Sequence, residues 1–144
     1  MSTSSPLLLV DNLHVEFRTR KGAATVLNGV DFELQSGETL CVVGESGCGK
    51  SMTALALLRL IPTPPGKIVD GRVLFAGEDL MKADERRMRA VRGNQISMIF
   101  QEPMSSLNPV YTVGDQISEA LLMHRKMSRS QAREQSIDLL RSVG

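Results

Sequence analysis

The chain has 144 residues, of which 42% are hydrophobic and 23% charged, a composition typical of one modest folded domain. Its 17 basic and 16 acidic residues give a net charge of +1, which excludes a general electrostatic attraction for nucleic acid or anionic membranes. Aromatic residues make up only 3%, so base-stacking surfaces are not expected. The two cysteines, Cys41 and Cys48, fit neither a zinc motif nor a disulfide framework and favour a reducing, cytoplasmic setting.

Alternating apolar and polar residues predict two half-buried strands in the first part of the chain. Their apolar members are Leu13, Val15 and Phe17, then Val30, Phe32 and Leu34. Residues 19–25 are polar and predict a connecting loop. Residues 39–43, TLCVV, form a short apolar run that predicts a strand buried on both faces.

A glycine-rich motif, GESGCGKS, follows this third strand and matches the phosphate-loop pattern G-x-x-x-x-G-K-[ST]. Its residues are Gly44, Glu45, Ser46, Gly47, Cys48, Gly49, Lys50 and Ser51. Glycines allow successive backbone N–H groups to point at one anion, the lysine places a charge at the β- and γ-phosphates, and the serine offers a hydroxyl to Mg²⁺. The motif therefore predicts nucleotide phosphate binding.

The remaining elements are predicted from periodicity and turn signals. Residues 52–61 predict a buried helix stopped by Pro62, and residues 67–75 predict a hairpin that turns at Asp70-Gly71. A charged helix over 83–91 and a fourth apolar strand over 96–100 precede a loop that extends to residue 109. Two helices complete the chain, at 113–123 and from Ser128, where Gln131 predicts a capping box.

Charged and titratable residues outside the motif are interpreted as surface residues. The basic run of the helix over 83–91 could bind nucleic acid, but the apolar Met88 and Val91 are spaced like the inner face of a helix. We therefore interpret the run as a solvated helix face and expect no nucleic-acid partner. His14 and His124 are also predicted to lie at the surface.

Hydrolysis of a phosphate requires a magnesium carboxylate and a group that orients water, besides the phosphate loop. Asp11 follows four apolar residues but precedes the loop, so we interpret it as a strand-edge residue. At the end of the strand over 96–100 stands an amide, Gln101, followed by Glu102. At the end of this predicted strand, the chain thus has the amide Gln101 in the position where a magnesium-binding carboxylate is usual.

An amide at a strand end about fifty residues after the phosphate loop is similar to the Q-loop of the ATP-binding cassettes of ABC proteins. The phrase MIFQEPMSSLNP, residues 98–109, resembles the subfamily that powers di- and oligopeptide importers and their nickel-transporting relatives. The resemblance extends from about Leu7 to Gly144. It implies an α/β P-loop NTPase core with an N-terminal antiparallel β subdomain over about 7–101. The start of a helical subdomain would follow over about 102–144, within one domain spanning 1–144.

The resemblance implies roles for particular residues. Residues 44–51 would hold the phosphates of ATP, with Lys50 neutralising charge and Ser51 binding Mg²⁺. Gln101 would approach the metal and the attacking water. Phe17 falls where the family places an aromatic ring that stacks on adenine, although it also suits a core strand.

The first helical turn after the motif departs from many cassettes. Met52 stands where they carry a second hydroxyl directly after the magnesium serine. Thr53 is left between two interpretations, a contact to the α-phosphate or an ordinary helix residue. Both residues belong to the predicted nucleotide site.

The resemblance further implies a peripheral subunit at the cytoplasmic face of the cell membrane. Its partners would be transmembrane permease subunits, a second cassette and, indirectly, a substrate-binding protein. The signature motif, the Walker B carboxylates and the switch histidine of the family do not occur, so we expect an N-terminal part of a cassette with negligible hydrolysis by itself. Two alternatives stay open: a fragment of a soluble ABC ATPase of DNA repair or translation, and a non-catalytic nucleotide-binding fragment.

Overall fold

A computed structural model describes residues 5–100 and 107–144 of the chain, which divide into two compact units between Met88 and Arg89. Its elements in chain order are β1 (Leu8–Thr19), β2 (Gly22–Leu34), α1 (Lys50–Leu57), β3 (Gly66–Phe75), β4 (Glu78–Asp79), α2 (Glu85–Val91), α3 (Val113–His124) and α4 (Arg129–Val143).

The first unit is built on a four-stranded antiparallel sheet in the order β2-β1-β3-β4. A tight turn joins β1 to β2, because Thr19 pairs with Gly22 and the Thr19 hydroxyl donates to the Gly22 carbonyl at 2.7 Å. The loop predicted over 19–25 is therefore shorter than expected. The two strands predicted from alternation are confirmed as parts of longer strands.

The core of the sheet depends on an irregularity in β1. Val10, Leu13 and Val15 are all buried, although a regular strand would place Val10 on the opposite face from the other two. The pairing of β1 shifts register between Val10 and Leu13 on the β2 side and between Asp11 and His14 on the β3 side. This bulge turns all three side chains to the same face of the sheet.

The hairpin predicted over 67–75 is wrong, because these residues belong to one continuous strand, β3. Gly71 does adopt a left-handed φ of +103°, but it lies against the bulge of β1 and makes no chain reversal. A Cβ on Gly71 would lie 2.5 Å from the Asn12 carbonyl oxygen and 2.6 Å from the Leu13 Cα. The Asp70-Gly71 signal thus marks a close approach of two backbones.

Helix α1 ends at Leu57, four residues before the predicted end at 61. Its C-terminus is a Schellman motif: the Arg59 N–H donates to the Ala56 carbonyl at 3.0 Å and the Leu60 N–H to the Leu55 carbonyl at 2.8 Å. Arg59 occupies the left-handed position, with φ +52°, where glycine is usual. Its guanidinium donates to the Ala83 carbonyl at 2.6 Å, a long-range bond that holds it in this conformation.

We expect Arg59→Ala to destabilise the first unit by about 1–2 kcal/mol, because the Ala83 carbonyl loses a charged donor while the left-handed strain stays. Arg59→Gly loses the same bond but relieves the strain, so its loss should be smaller by about 1 kcal/mol. Urea unfolding followed by far-UV circular dichroism measures both, with the exposed Arg86→Ala as the control. An alanine variant as stable as the unsubstituted chain would contradict this role.

Helix α2 confirms the predicted inner face and part of the predicted solvated face. Met88 and Val91 are fully buried, and Arg86 and Arg89 are exposed. The Arg87 guanidinium donates to both carboxylate oxygens of Glu78, and this hydrogen bonding raises the pKa of Arg87.

The strands predicted over 39–43 and 96–100 are also wrong. Residues 39–43 are irregular, with Val43 89% exposed, and residues 96–100 carry only an isolated bridge between Arg92 and Ile96, with Ile99 91% exposed. A strand needs hydrogen bonds from a neighbouring strand, and none of the strands in the described residues pairs with either segment.

The second unit contains α3 and α4, whose starts follow from their caps. The Thr112 hydroxyl accepts from the Asp115 N–H, and Ser128 and Gln131 form the predicted capping box. Between the helices, the hydroxyls of Ser118 and the buried Ser136 lie 3.0 Å apart. Ala132 and Ser136 are the buried residues of α4, whereas its large apolar residues are exposed; they are Ile137, Leu139, Leu140 and Val143.

Candidate phosphate-binding site

The glycine-rich motif forms a turn that leads directly into α1. The Cys48 N–H donates to the Glu45 carbonyl at 3.3 Å, and Gly47 and Gly49 adopt left-handed φ values of +84° and +100°. Gly49 caps α1, since its carbonyl accepts from the Thr53 N–H at 2.8 Å. The free N–H groups of the first helical turn therefore begin where the loop ends, a geometry suited to an anion.

Two glycines of the loop lie in close contact with neighbouring side chains. A Cβ on Gly44 would lie 2.6 Å from the Cys48 Sγ, and a Cβ on Gly49 would lie 2.8 Å from the Leu27 Cδ2. Leu27 is a buried residue of β2 that sequence reasoning did not select. It lies against the base of the loop, and the sequence pattern did not point to it because Leu27 is out of phase with the alternating Val30, Phe32 and Leu34 of β2.

The Lys50 side chain folds back across the loop. Its Nζ donates to the backbone carbonyls of Gly44 and Glu45, both at 2.7 Å, and lies 3.5 Å from the Cys48 Sγ. Both carbonyls are neutral, so they orient the ammonium without cancelling its charge. The structure thus places a cation against the loop backbone, where it could interact with an anion held by the loop N–H groups.

The rest of the first turn of α1 carries the other predicted contacts. Ser51 is exposed, so its hydroxyl is accessible to an ion, and Met52 is half-buried. The Thr53 hydroxyl donates to the Gly49 carbonyl at 3.0 Å, which is an ordinary use of a helix threonine. A contact from Thr53 to an α-phosphate stays a prediction.

Phe17 and Gln101 are the predicted members of the site that lie outside the loop and α1 in the sequence. Phe17 is half-buried near the end of β1 and lies opposite Gly66, where a Cβ would be 3.0 Å from its Cζ. Gln101 lies outside the described residues. Within the described ranges, no three His, Cys, Asp or Glu side chains are grouped so that they could hold a metal ion. In the same ranges, no helix has the length and apolar character needed to cross a membrane.

Comparison with known proteins identifies the family. A family model described as ABC transporter matches residues 27–144. The chain belongs to the ABC transporter family. This confirms the resemblance inferred from the phosphate loop and from the phrase around Gln101.

Several curated members of the family that resemble the chain are named for peptide transport. The dipeptide transport ATP-binding protein DppD of Bacillus subtilis (strain 168) is 50% identical over 138 residues, which is 96% of this chain and 41% of that protein. The oligopeptide transport ATP-binding protein OppD of the same strain is 49% identical over 138 residues, 96% of this chain and 38% of that protein. The chain therefore spans about two fifths of the length of these relatives.

Solved ABC cassettes share the fold. The ATP-binding cassette MJ0796, in a dimeric structure, has a TM-score of 0.77 at 20% identity, over 93% of this chain and 56% of that one. The same cassette bound to ADP and Pi has a TM-score of 0.74. These similarities confirm the predicted fold class, an N-terminal portion of an ABC cassette with an antiparallel β subdomain.

Proposed function

We propose that the chain binds ATP with Mg²⁺ as part of the ATP-binding subunit of a peptide importer. The position of Lys50 carries the proposal, because its ammonium rests on neutral loop carbonyls beside the N-terminus of α1. An anion held there would meet a charge, backbone N–H groups and the positive end of a helix dipole. Triphosphate is the anion for which this loop pattern is suited.

Most of the predicted site residues have a defined role in this proposal. The loop residues 44–49 would hold the phosphates and Lys50 would neutralise their charge. The accessible Ser51 hydroxyl suits Mg²⁺, which prefers oxygen ligands and would supply charge neutralisation at the phosphates. Gln101 would orient water in the whole protein, and Phe17 would stack on the adenine ring.

Peptide import is supported by the names of the relatives, which are ATP-binding proteins of dipeptide and oligopeptide transport at about 50% identity. We propose that the whole protein hydrolyses ATP and pairs with a second cassette. Its other partners would be membrane permease subunits and, through them, a substrate-binding protein. It would act peripherally at the cytoplasmic face of the membrane.

Magnesium-dependent ATP binding tests the proposal directly. We expect the 144-residue chain to bind a fluorescent ATP analogue more tightly with Mg²⁺ than with EDTA. Ser51→Ala should lose about tenfold of this affinity with Mg²⁺ and little of it in EDTA, because one neutral oxygen ligand is removed. Lys82→Ala, which removes an exposed lysine near Asp79, is the control. Equal affinities of the Ser51 variant and the unsubstituted chain with Mg²⁺ would reject the metal role.

A further inference from the structure

The base of the phosphate loop rests against one side chain of the antiparallel sheet, that of Leu27. A Cβ built on Gly49 would lie 2.8 Å from the Leu27 Cδ2 and 3.4 Å from the Val26 carbonyl oxygen. The Gly49 Cα is therefore already in contact with Leu27. Leu27 is only 3% exposed, so the loop meets a side chain that is itself fixed in a packed core.

A bulge in β2 directs Leu27 toward the buried face of the sheet. Regular alternation from Val30, the partner of the buried Leu13, would place Leu27 on the opposite face. The pairing with β1 shifts register between Leu13 and Val15, so that β2 has an extra residue at this step. Gly29 lies within the step and adopts the left-handed φ of +71° that such a bulge favours. The bulge therefore turns Leu27 to the side where it contacts the loop.

Gly49 is the junction between the phosphate loop and α1. Its φ of +100° is left-handed, and its carbonyl accepts from the Thr53 N–H at 2.8 Å and from the Thr53 hydroxyl at 3.0 Å. Glycine has no side chain to cap the helix, so the N–H groups of the first turn stay available to an anion. The orientation of the Gly49 peptide decides where the following N–H groups, those of Lys50 and Ser51, point.

The contact with Leu27 lies where an exposed segment meets the core. Residues 36–48 are exposed, whereas Gly49 is half-buried. Glycine is the residue with the widest choice of backbone conformations, so a glycine junction would be free to move unless its neighbours held it. Thr53 holds the carbonyl of Gly49, and Leu27 packs against its Cα. A junction held in advance has less conformational entropy to lose when an anion binds.

We propose that Leu27 is a positioning residue for phosphate binding: by packing on Gly49, it holds the junction in the conformation in which the first N–H groups of α1 meet a triphosphate. The inference rests on the proposed function for the identity of the ligand. The anchoring of Gly49 by Leu27 is carried by the contact and by the bulge in β2, independently of any ligand.

Calorimetric titration of the 144-residue chain with inorganic triphosphate and Mg²⁺ tests the positioning role, because this probe has neither base nor sugar. We expect Leu27→Ala, which removes the atoms in contact with Gly49, to weaken binding about tenfold. Leu27→Val also removes Cδ2 but keeps more of the core, so it guards against unfolding and should weaken binding about threefold. Leu27→Met fills a similar volume and should keep the affinity within about twofold.

Leu13→Ala and Leu13→Val are the matched controls, since they delete the same atoms from a fully buried leucine of the same sheet, beside Gly71. They should lose at least as much stability in urea as the corresponding Leu27 variants, while their folded molecules keep the affinity for triphosphate. Two results overturn the positioning role: unchanged affinity in the Leu27 variants, or an equal loss of affinity in the Leu13 variants.

Hydrogen–deuterium exchange tests the anchoring without a ligand. The Thr53 amide reports on the junction, because it donates to the Gly49 carbonyl. We expect this amide to exchange at least about fivefold faster in Leu27→Ala than in Leu13→Ala, and equal rates overturn the anchoring. If the unsubstituted chain binds neither triphosphate nor the ATP analogue, the proposed function is rejected and the positioning role with it. The exchange rates then still decide whether Leu27 holds Gly49.

Discussion

Lys50→Ala should lower the affinity of the chain for an ATP analogue by at least about 100-fold, equivalent to about 2.7 kcal/mol. The ammonium is the charged group that the structure places directly over the loop backbone, 2.7 Å from the Gly44 and Glu45 carbonyls. Alanine would leave the phosphates with neutral N–H donors and the helix dipole. Equilibrium titration with a fluorescent analogue, with and without Mg²⁺, measures the loss.

Two further variants separate the charge from the fold. Lys50→Arg keeps the charge on a longer, planar group that cannot reach the same point, so we expect an affinity between those of the alanine variant and the unsubstituted chain. Lys82→Ala should bind normally. Far-UV circular dichroism should show the same spectrum for all three, because the bonds of Lys50 lie within an exposed loop. If Lys50→Ala binds the analogue as the unsubstituted chain does, the phosphate site lies elsewhere and the proposed function is wrong.

Local signals in the sequence predicted local structure well. Ser128 with Gln131 predicted a capping box, and the alternation of Leu13, Val15 and Phe17 predicted a strand, because both patterns depend on residues close in the chain. The glycine-rich motif together with the phrase around Gln101 predicted the family, which the comparisons confirm. Roles of individual residues at the loop stay predictions.

The errors arose where distant residues decide the conformation. Helix α1 ends before the predicted residue 61 because Arg59 adopts a left-handed conformation and donates to the distant Ala83 carbonyl, and no short pattern predicts that bond. The segments at 39–43 and 96–100 have the apolar character of strands, but strand formation also needs a paired neighbour.

The prediction at Asp70-Gly71 was right in one respect and wrong in another. The pair does mark a residue with a left-handed φ, but the chain does not reverse there. Glycine after aspartate did mark a left-handed residue, but the residue lies beside a bulge in β1, where Asn12 is also left-handed with φ +51°. Asparagine tolerates this conformation better than most residues. Two left-handed residues that are far apart in the chain, Asn12 and Gly71, thus meet across the sheet and allow one strand to bend against the other.

We therefore expect Gly71→Ala to destabilise the first unit by about 3–5 kcal/mol, a large part of the stability of a small domain. About 1–2 kcal/mol comes from the left-handed φ of +103°. The remainder comes from overlap of the new Cβ with the Asn12 carbonyl and the Leu13 Cα, which are backbone atoms and cannot rotate away. Relief would require β1 and β3 to separate at the bulge.

Gly77→Ala is the matched control, because Gly77 has a similar φ of +83° but no atom within 4 Å of a new Cβ. It should cost only the conformational strain of about 1–2 kcal/mol. Urea unfolding curves of the two variants therefore isolate the contribution of the close approach. If both variants lose the same stability, the contact between Gly71 and the bulge is not what keeps Val10, Leu13 and Val15 on one face. A larger loss of stability for Gly71→Ala than for Gly77→Ala would mean that the bulge in β1, and with it the core of the sheet, depends on Gly71. The sequence alone assigns this glycine to a turn.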